Sequence, residues 1–168
     1  AILAVGSTVF SNDLGINSTG FGLIWSSMTI LYASAAFLSG NLSTKIGLMS
    51  VMRIGMLLNL LSGVMFFTSI AIFGVTLFSI ITPLVIMFFA HGFIVPTSMT
   101  KAVSDRPEIA GSSSGLSSAL GLVTGGLFSI LSGAVYAGSF LPISFIVMAS
   151  TIMCSLSYSL IKWGEKSN

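Results

Sequence analysis

The six basic side chains of this chain can all be placed on one side of a membrane, and this constrains the fold more than any other feature. They are Lys45, Arg53, Lys101, Arg106, Lys162 and Lys166. The stretches 54–100 and 109–161 contain no Lys, Arg, Asp or Glu at all. Because short loops beside a bilayer keep Lys and Arg in the cytoplasm, this one-sided pattern predicts a multi-pass membrane protein and its orientation.

The composition excludes most other classes of protein. The 168 residues are 54% hydrophobic and 6% charged, whereas a soluble domain carries about a quarter of charged residues. The formal charge of +2 does not indicate nucleic-acid binding, because the basic residues are scattered and form no basic run. The only cysteine, Cys154, excludes an internal disulfide and a multi-cysteine metal site.

Hydrophobic stretches predict an all-α bundle of five full spans and one half span. The predicted boundaries are residues 1–10, 21–40, 51–72, 77–98, 113–137 and 143–161. A complete span needs about 20 residues, so the apolar run 1–10 covers half a bilayer. From this we expect that the chain is a fragment of a larger protein. The polar loop at residues 11–20 is predicted outside, and the tail from Lys162 inside.

The cytoplasmic loop at residues 40–47, with the sequence GNLSTKIG, has the form G-x-L-x-x-K-x-G. One glycine would let a helix end approach its neighbour, the lysine would anchor the cytoplasmic face, and the second glycine would allow a tight turn. Arg53 lies close enough to the next span to reach back to the interface. The alternative is an ordinary short loop with one basic residue. The predicted contact consists of Gly40, Leu42, Lys45, Gly47 and Arg53.

This pattern resembles the loop signature of the major facilitator superfamily, G-x-L-x-D-[RK]-x-G, with Thr44 where Asp is usual. Residues 110–116, AGSSSGL, resemble the start of span 11 in the bicyclomycin and chloramphenicol resistance group of drug:proton antiporters (Bcr/CflA type). Residues 92–96, GFIVP, are similar to the end of span 10 in that group, although residues 97–98 are Thr-Ser where Asn-Ala is common. The resemblance covers the whole chain. Its spans correspond in order to spans 7 to 12 of that group, and the outer loop at residues 13–22 is included.

The resemblance implies the C-terminal six-helix half of a facilitator-type transporter in the cell inner membrane, with a cytoplasmic C-terminus. Its expected activity is multidrug efflux by proton antiport with alternating access, conferring drug resistance. The implied partners are membrane lipid, an amphipathic small molecule, protons and the N-terminal half of the same transporter. Nucleic acid is not expected as a partner. No cofactor or metal is expected.

The same resemblance places substrate-cavity residues on the first, second, fourth and fifth helices of the chain. We expect them to be Met28, Tyr32, Met87, His91 and Thr124. Met28 and Tyr32, four residues apart, offer an adaptable apolar wall with one hydroxyl. His91 is an ionisable group inside a span, which favours a function in substrate or proton binding. The alternative is a neutral histidine hydrogen-bonded to a neighbouring helix.

The span that begins at residue 113 carries a small residue at every fourth position. These are Ser117, Gly121, Gly125, Ser129 and Gly133. In lipid, small residues allow helix backbones to approach closely. The stripe therefore predicts helix packing, either static or as a sliding contact between two halves of a transporter.

Two further functions stay open from the sequence. One is a metabolite transporter of the same fold, and the other is a non-transporting structural subunit or membrane remnant. The sequence contains no nucleotide-binding loop, no cluster of His and carboxylates, and no Ser/His/Asp arrangement, so we do not expect an enzyme. No carboxylate lies within a predicted span.

Overall fold

The computed structural model describes residues 6, 9–104, 107–136 and 139–166, with side chains described as far as residue 160. Five long helices account for most of these residues, and no strand occurs among them. They are α1 (Ser18–Ile46), α2 (Leu48–Phe73), α3 (Leu77–Ser104), α4 (Ala110–Val135, preceded by a 3₁₀ turn at Pro107–Ile109) and α5 (Leu141–Lys166). Each is long and apolar enough to cross a membrane. The chain is therefore a multi-pass helical membrane bundle, which confirms the predicted class.

Two connections between helices are shorter than the sequence pattern indicates. Gly47 alone joins α1 to α2, with φ of 84°, and its N–H donates to the carbonyl of Ser43 at 3.1 Å. Because a glycine tolerates positive φ, one residue reverses the chain and both helices continue up to it. The loop predicted at residues 40–47 is thus helical except at Gly47. The second short connection, at residues 74–76, lies within the turn predicted between the spans 51–72 and 77–98.

The beginning of α3 is closed by a reciprocal pair of hydroxyl contacts. The N–H of Ser79 donates to Thr76 Oγ1 at 3.1 Å, and the N–H of Thr76 donates to Ser79 Oγ at 2.9 Å. Ser79 Oγ also donates to the carbonyl of Gly74 at 2.7 Å. These contacts satisfy backbone groups that a helix start leaves without partners.

Parts of other predicted spans lie outside the described residues. Of the half span at 1–10, residues 6, 9 and 10 are described and helical, while 1–5, 7 and 8 are not described. Asp105 and Arg106 of the predicted inner loop, and residue 137 at the end of the predicted span 113–137, also fall outside the described part. Pro142 lies in the first turn of α5, where its missing N–H costs no helical hydrogen bond.

Contacts between the helices fix their directions. Gly55 of α2 packs against Phe93 of α3, and Ser69 donates to the carbonyl of Ser79 at 2.9 Å, so α2 and α3 are antiparallel. The Tyr158 hydroxyl of α5 donates to the carbonyl of Met49 at 3.3 Å, and Phe140 beside the start of α5 packs against Phe66 of α2, so α5 also runs antiparallel to α2.

These directions bring the described basic positions to one end of the bundle. Lys45 and Lys101 lie in the last turns of α1 and α3, and Arg53 lies near the start of α2. Lys162 and Lys166 belong to the last turns of α5.

The tightest packing surrounds α3, which contacts α1, α2 and α4. Half of the α3 span is buried (50%), against 6% of the span that contains α4. A buried cluster at the end opposite the basic residues includes Phe66, Ile80, Leu84 and Phe140. We refer to α1, α2, α3 and α5 together as the four-helix unit.

Helix α4 contacts the four-helix unit mainly near its two ends. Ser113 Oγ donates to the carbonyl of Ala102 on α3 at 3.1 Å, and Ser132 near the other end is fully buried. Between them, residues 115–127 are all exposed. This leaves a space between the middle of α4 and the four-helix unit.

Candidate functional site

The space beside α4 is a cleft of about 610 Å³ lined by residues of α2, α3, α4 and α5. Its volume lies in the range of cavities that hold drug-sized molecules. The wall is mainly apolar and includes Met87, Leu120, Phe128 and Met153. A few polar groups interrupt this wall, which is the usual arrangement of a small-molecule site.

Three polar side chains from three different helices reach this cleft without a hydrogen bond among the described residues. Asn59 of α2 is 2% exposed, and its buried Oδ1 atom has no partner. His91 of α3 is half-buried, and Thr124 of α4 is exposed on the cleft side. A buried polar atom that lacks a partner costs free energy. Among the described residues, Asn59 Oδ1 is the buried side-chain atom that carries this cost.

The hydroxyl groups that α5 contributes to the cleft donate within their own helix. Ser150 Oγ donates to the carbonyl of Val147 at 2.7 Å, and Thr151 Oγ1 donates to the carbonyl of Met148 at 2.8 Å. Ser157 Oγ likewise donates to the carbonyl of Met153 at 3.0 Å. The oxygens of these hydroxyls can still accept a hydrogen bond but have no free proton for Asn59 Oδ1.

The described lining of the cleft contains no Asp, Glu, Lys or Arg. Among the described acids, Asp13 lies ahead of α1 and Glu108 lies in the 3₁₀ turn, far along the chain from the lining positions. His91 is therefore the only lining residue that can carry a positive charge near neutral pH. The described lining residues suit an uncharged ligand better than a charged one, because burying an unpaired charge costs free energy.

Three of the five predicted cavity residues come together here, namely Met87, His91 and Thr124. The other two lie on α1, and no residue of α1 lines the cleft. Met28 is buried in the cluster around Phe66 and Leu84, and Tyr32 belongs to the α1 segment whose backbone touches Gly92 of α3. The hydrogen bond of His91 to a neighbouring helix, expected in the alternative interpretation, is absent among the described residues.

The predicted cytoplasmic contact occupies the junction of α1 and α2. Gly47 makes the turn, Lys45 and Arg53 are exposed, and Leu42 packs against a buried cluster that contains Val51 and Phe93. At Gly40, however, a Cβ atom would meet nothing within 4 Å. No described helix makes the close approach expected at this glycine, and it stays a prediction.

The glycines of the predicted packing stripe on α4 have no close neighbour among the described residues. A Cβ atom built on Gly121, Gly125 or Gly133 would meet nothing within 4 Å, and Ser117 is exposed. Ser129 is half-buried. Gly121 and Gly125 line the cleft instead. Packing of this stripe against another helix stays a prediction.

Sequence reasoning did not select Asn59 and Cys154 as site residues. Asn59 is the only amide side chain in the long apolar α2, and a lone amide in a membrane span is a signal that could have found it. Cys154 of α5 lines the cleft and lies 3.6 Å from the sulfur of Met56. Nothing in the sequence marked Cys154 beyond its being the only cysteine.

The described residues bring together no group of three or more His, Cys, Asp or Glu side chains that would hold a metal ion. Comparison of the chain with protein-family models, curated proteins and solved structures gives no match. The site must therefore be interpreted from its own geometry.

Proposed function

We propose that this chain is the C-terminal six-helix half of a facilitator-type secondary transporter. In this proposal it moves amphipathic small molecules out of the cell in exchange for protons, and the cleft beside α4 binds the substrate. The observation that carries the proposal is the convergence of Asn59, His91 and Thr124, from three helices, on one mainly apolar cleft within a membrane bundle.

Two features support transport in preference to a purely structural role. A structural bundle gains nothing from a buried amide oxygen without a partner, since the same volume of apolar side chain is more stable in lipid. In addition, α4 contacts the four-helix unit mainly near its ends, so a change in its position would alter the cleft without disrupting the core. The facilitator family and the proton coupling are what the resemblance of the sequence motifs to that family implies.

A metabolite transporter of the same fold is the second candidate, and the polar groups in the cleft are the observation that favours it. Metabolites are usually more polar than drugs, and Asn59, His91 and Thr124 would hydrogen-bond them. A non-transporting subunit is the third candidate, favoured by the exposed apolar side of α4, where Leu122 is 80% exposed.

Efflux of N-phenyl-1-naphthylamine, an uncharged fluorescent amine, tests the proposal. De-energised cells that express the protein are loaded with the dye, energised with glucose, and followed by fluorescence. The expected result is faster dye loss than in empty-vector cells, abolished by a protonophore. Thr124→Trp, which fills the cleft, should reduce the rate to that of empty-vector cells. Leu122→Trp, on the exposed side of the same helix, is the matched control and should retain efflux.

Three outcomes would contradict the proposal. Dye loss equal to that of empty-vector cells would argue against efflux of amphipathic molecules. Efflux that persists with Thr124→Trp would exclude the cleft as its route. An immunoblot of native membranes with an antibody to residues 162–168 tests the six-helix assignment separately. We expect a band more than twice the 17.5 kDa of this chain, and a band at 17.5 kDa would contradict a single polypeptide with two halves.

A further inference from the structure

A second groove lies between α2 and α5, at the end of the bundle that carries the basic residues. Its volume is about 290 Å³, and its α2 side consists of Arg53, Met56, Leu57 and Leu60. These positions follow the spacing i, i+3, i+4 and i+7, so they share one face of α2. The α5 side consists of Ser155, Tyr158 and Ser159. None of these residues lines the cleft beside α4.

The groove is basic where α2 begins and apolar farther along this helix. Arg53 lies near the start of α2, and its side chain is exposed. Met56 is buried, whereas Leu57 is exposed to whatever fills the groove. From Arg53 to Leu60 the helix rises by about 10 Å, which is about two thirds of the hydrocarbon thickness of one leaflet. A phospholipid has the same order of parts, with a phosphate at the interface and an apolar chain beneath it.

Arg53 is the residue of this lining that has free hydrogen-bond donors. Ser155 Oγ donates to the carbonyl of Thr151 at 2.9 Å, and Ser159 Oγ donates to the carbonyl of Ser155 at 3.0 Å. The Tyr158 hydroxyl also donates to a backbone carbonyl. Arg53, by contrast, has no hydrogen bond or ion pair with any described residue. Its guanidinium carries five N–H donors in a planar fork, a geometry that matches the oxygens of a phosphate.

Charge indicates which phospholipid fits the groove. In a zwitterionic lipid the ammonium of the headgroup compensates the phosphate, whereas in an anionic lipid the phosphate charge is left without a partner. The groove offers a guanidinium for the phosphate but no Asp or Glu for an ammonium. Basic residues beside a membrane surface attract anionic lipids, and basic pockets between membrane helices bind their headgroups.

We propose that the groove between α2 and α5 binds an anionic phospholipid. The phosphate accepts hydrogen bonds from the Arg53 guanidinium, and one acyl chain lies along Met56, Leu57 and Leu60. The bound lipid then anchors the start of α2 at the membrane interface. This site is separate from the cleft beside α4, and the proposal does not depend on transport.

Photo-crosslinking from position 57 tests the proposal, because Leu57 lines the groove and is 59% exposed. Leu57 is replaced by the photoreactive residue p-benzoylphenylalanine, and the chain is placed in nanodiscs of equimolar dioleoylphosphatidylglycerol and dioleoylphosphatidylcholine. Both lipids carry the same acyl chains, so the photoreaction itself does not favour either one. After irradiation, intact mass identifies the crosslinked lipid.

The phosphatidylglycerol adduct should exceed the phosphatidylcholine adduct about fivefold, which corresponds to the roughly 1 kcal/mol that one basic residue contributes beside an anionic surface. Adding Arg53→Gln should bring the ratio close to one. Lys45→Gln is the matched control, since Lys45 is exposed at the same end of the bundle but does not line the groove. It should keep the fivefold ratio. Sodium phosphate in the buffer should leave the ratio as it is in sodium chloride of the same ionic strength.

Several results would overturn the lipid site. They are a ratio near one with Arg53 in place, a ratio that Arg53→Gln leaves unchanged, and the absence of any lipid adduct at position 57. An equal loss in Lys45→Gln would assign the preference to the overall charge of this end, and a loss caused by sodium phosphate alone would assign the site to free phosphate. The comparison of the two lipids with Arg53 in place does not depend on the folding of Arg53→Gln or Lys45→Gln.

Discussion

Three glycines inside α2 and α3 and three glycines of α4 have opposite surroundings. At Gly55, Gly63 and Gly92 a Cβ atom would lie under 3.0 Å from atoms of a neighbouring helix. At Gly121, Gly125 and Gly133 it would meet nothing within 4 Å. The same residue type therefore permits helix contact in one region and leaves a helix surface open in the other. Only the first group holds the described bundle together.

This difference shows why periodicity alone does not locate packing. The stripe of small residues on α4 is the most regular in the chain, yet its glycines face open space or the cleft. The isolated glycines of α2 and α3 show no such regular stripe, but a Cβ atom at each would lie under 3.0 Å from atoms of a neighbouring helix. Four principal substitutions, three of them paired with a second change for comparison, test this difference, beginning with the largest expected effect.

Gly92→Val should strongly destabilise the bundle. The new side chain would start 2.6 Å from the carbonyl oxygen of Tyr32 and 2.9 Å from the backbone nitrogen of Ala36, and backbone atoms of α1 cannot move aside without shifting the helix. We expect a loss of about 3 kcal/mol or more in the free energy of unfolding. Thermal unfolding in detergent, followed by circular dichroism, measures it.

Gly125→Val on α4 is the control for Gly92→Val, because the same change there meets no neighbour. Its effect should stay within about 0.5 kcal/mol. Equal losses at the two positions would break the distinction between the two regions.

Gly63→Ala should cost about 2 kcal/mol by overpacking. Its Cβ would press on Thr151 of α5, with Cγ2 at 2.8 Å and Cβ at 2.9 Å. Thr151→Ala removes the outer atoms of this contact but keeps its Cβ, so the double variant should recover about 1 kcal/mol of the loss. Strictly additive effects in this double-mutant cycle would show that the two residues do not touch.

Ser79→Ala should cost about 1 kcal/mol, because it removes the acceptor of the Thr76 N–H at the start of α3. The comparison is with Ser118→Ala on α4, whose exposed hydroxyl donates only to the carbonyl of Ser114, at 2.9 Å. That change should be close to neutral. Chemical unfolding of both variants in parallel gives the difference, and similar stabilities for the two would argue against a special role for Ser79.

Gly133→Ala should have the smallest effect and the opposite sign. With no neighbour within 4 Å, the alanine should stabilise α4 by about 0.5 kcal/mol, through its higher helix propensity. A clear loss of stability in native membranes, compared with detergent, would instead show that the stripe packs against another helix there, as the sequence predicts.

The sequence was sufficient to predict the helices and the placement of the described basic residues at one end of the bundle. Apolar length and the scarcity of charge require membrane-spanning helices, and Gly47 and Gly74 mark turns that only a residue tolerant of positive φ makes easily. The ends of the helices were harder to predict. Helix α1 continues through a polar segment that hydropathy alone would assign to a loop.

Only part of the site could be predicted, because spacing along one helix does not show which helix face meets a neighbour. Met87 and His91 share a face of α3 by their spacing of four residues, so predicting one supported the other. Met28 and Tyr32 have the same spacing, but which face of α1 meets α3 depends on the position of Gly92, a tertiary fact that spacing does not contain. The sequence shows Asn59 as the lone amide of an apolar span, but the absence of a donor around its Oδ1 is a tertiary fact that no local pattern reveals.

Transport through the cleft is the central proposal, and the accessibility of Cys154 tests it most directly. Its reaction with a membrane-impermeant methanethiosulfonate is timed in right-side-out and inside-out vesicles, with and without an imposed proton gradient. The account predicts that the gradient speeds labelling from one side and slows it from the other, and that N-phenyl-1-naphthylamine protects from both. Labelling rates that do not respond to the gradient or to the dye would contradict transport through this cleft.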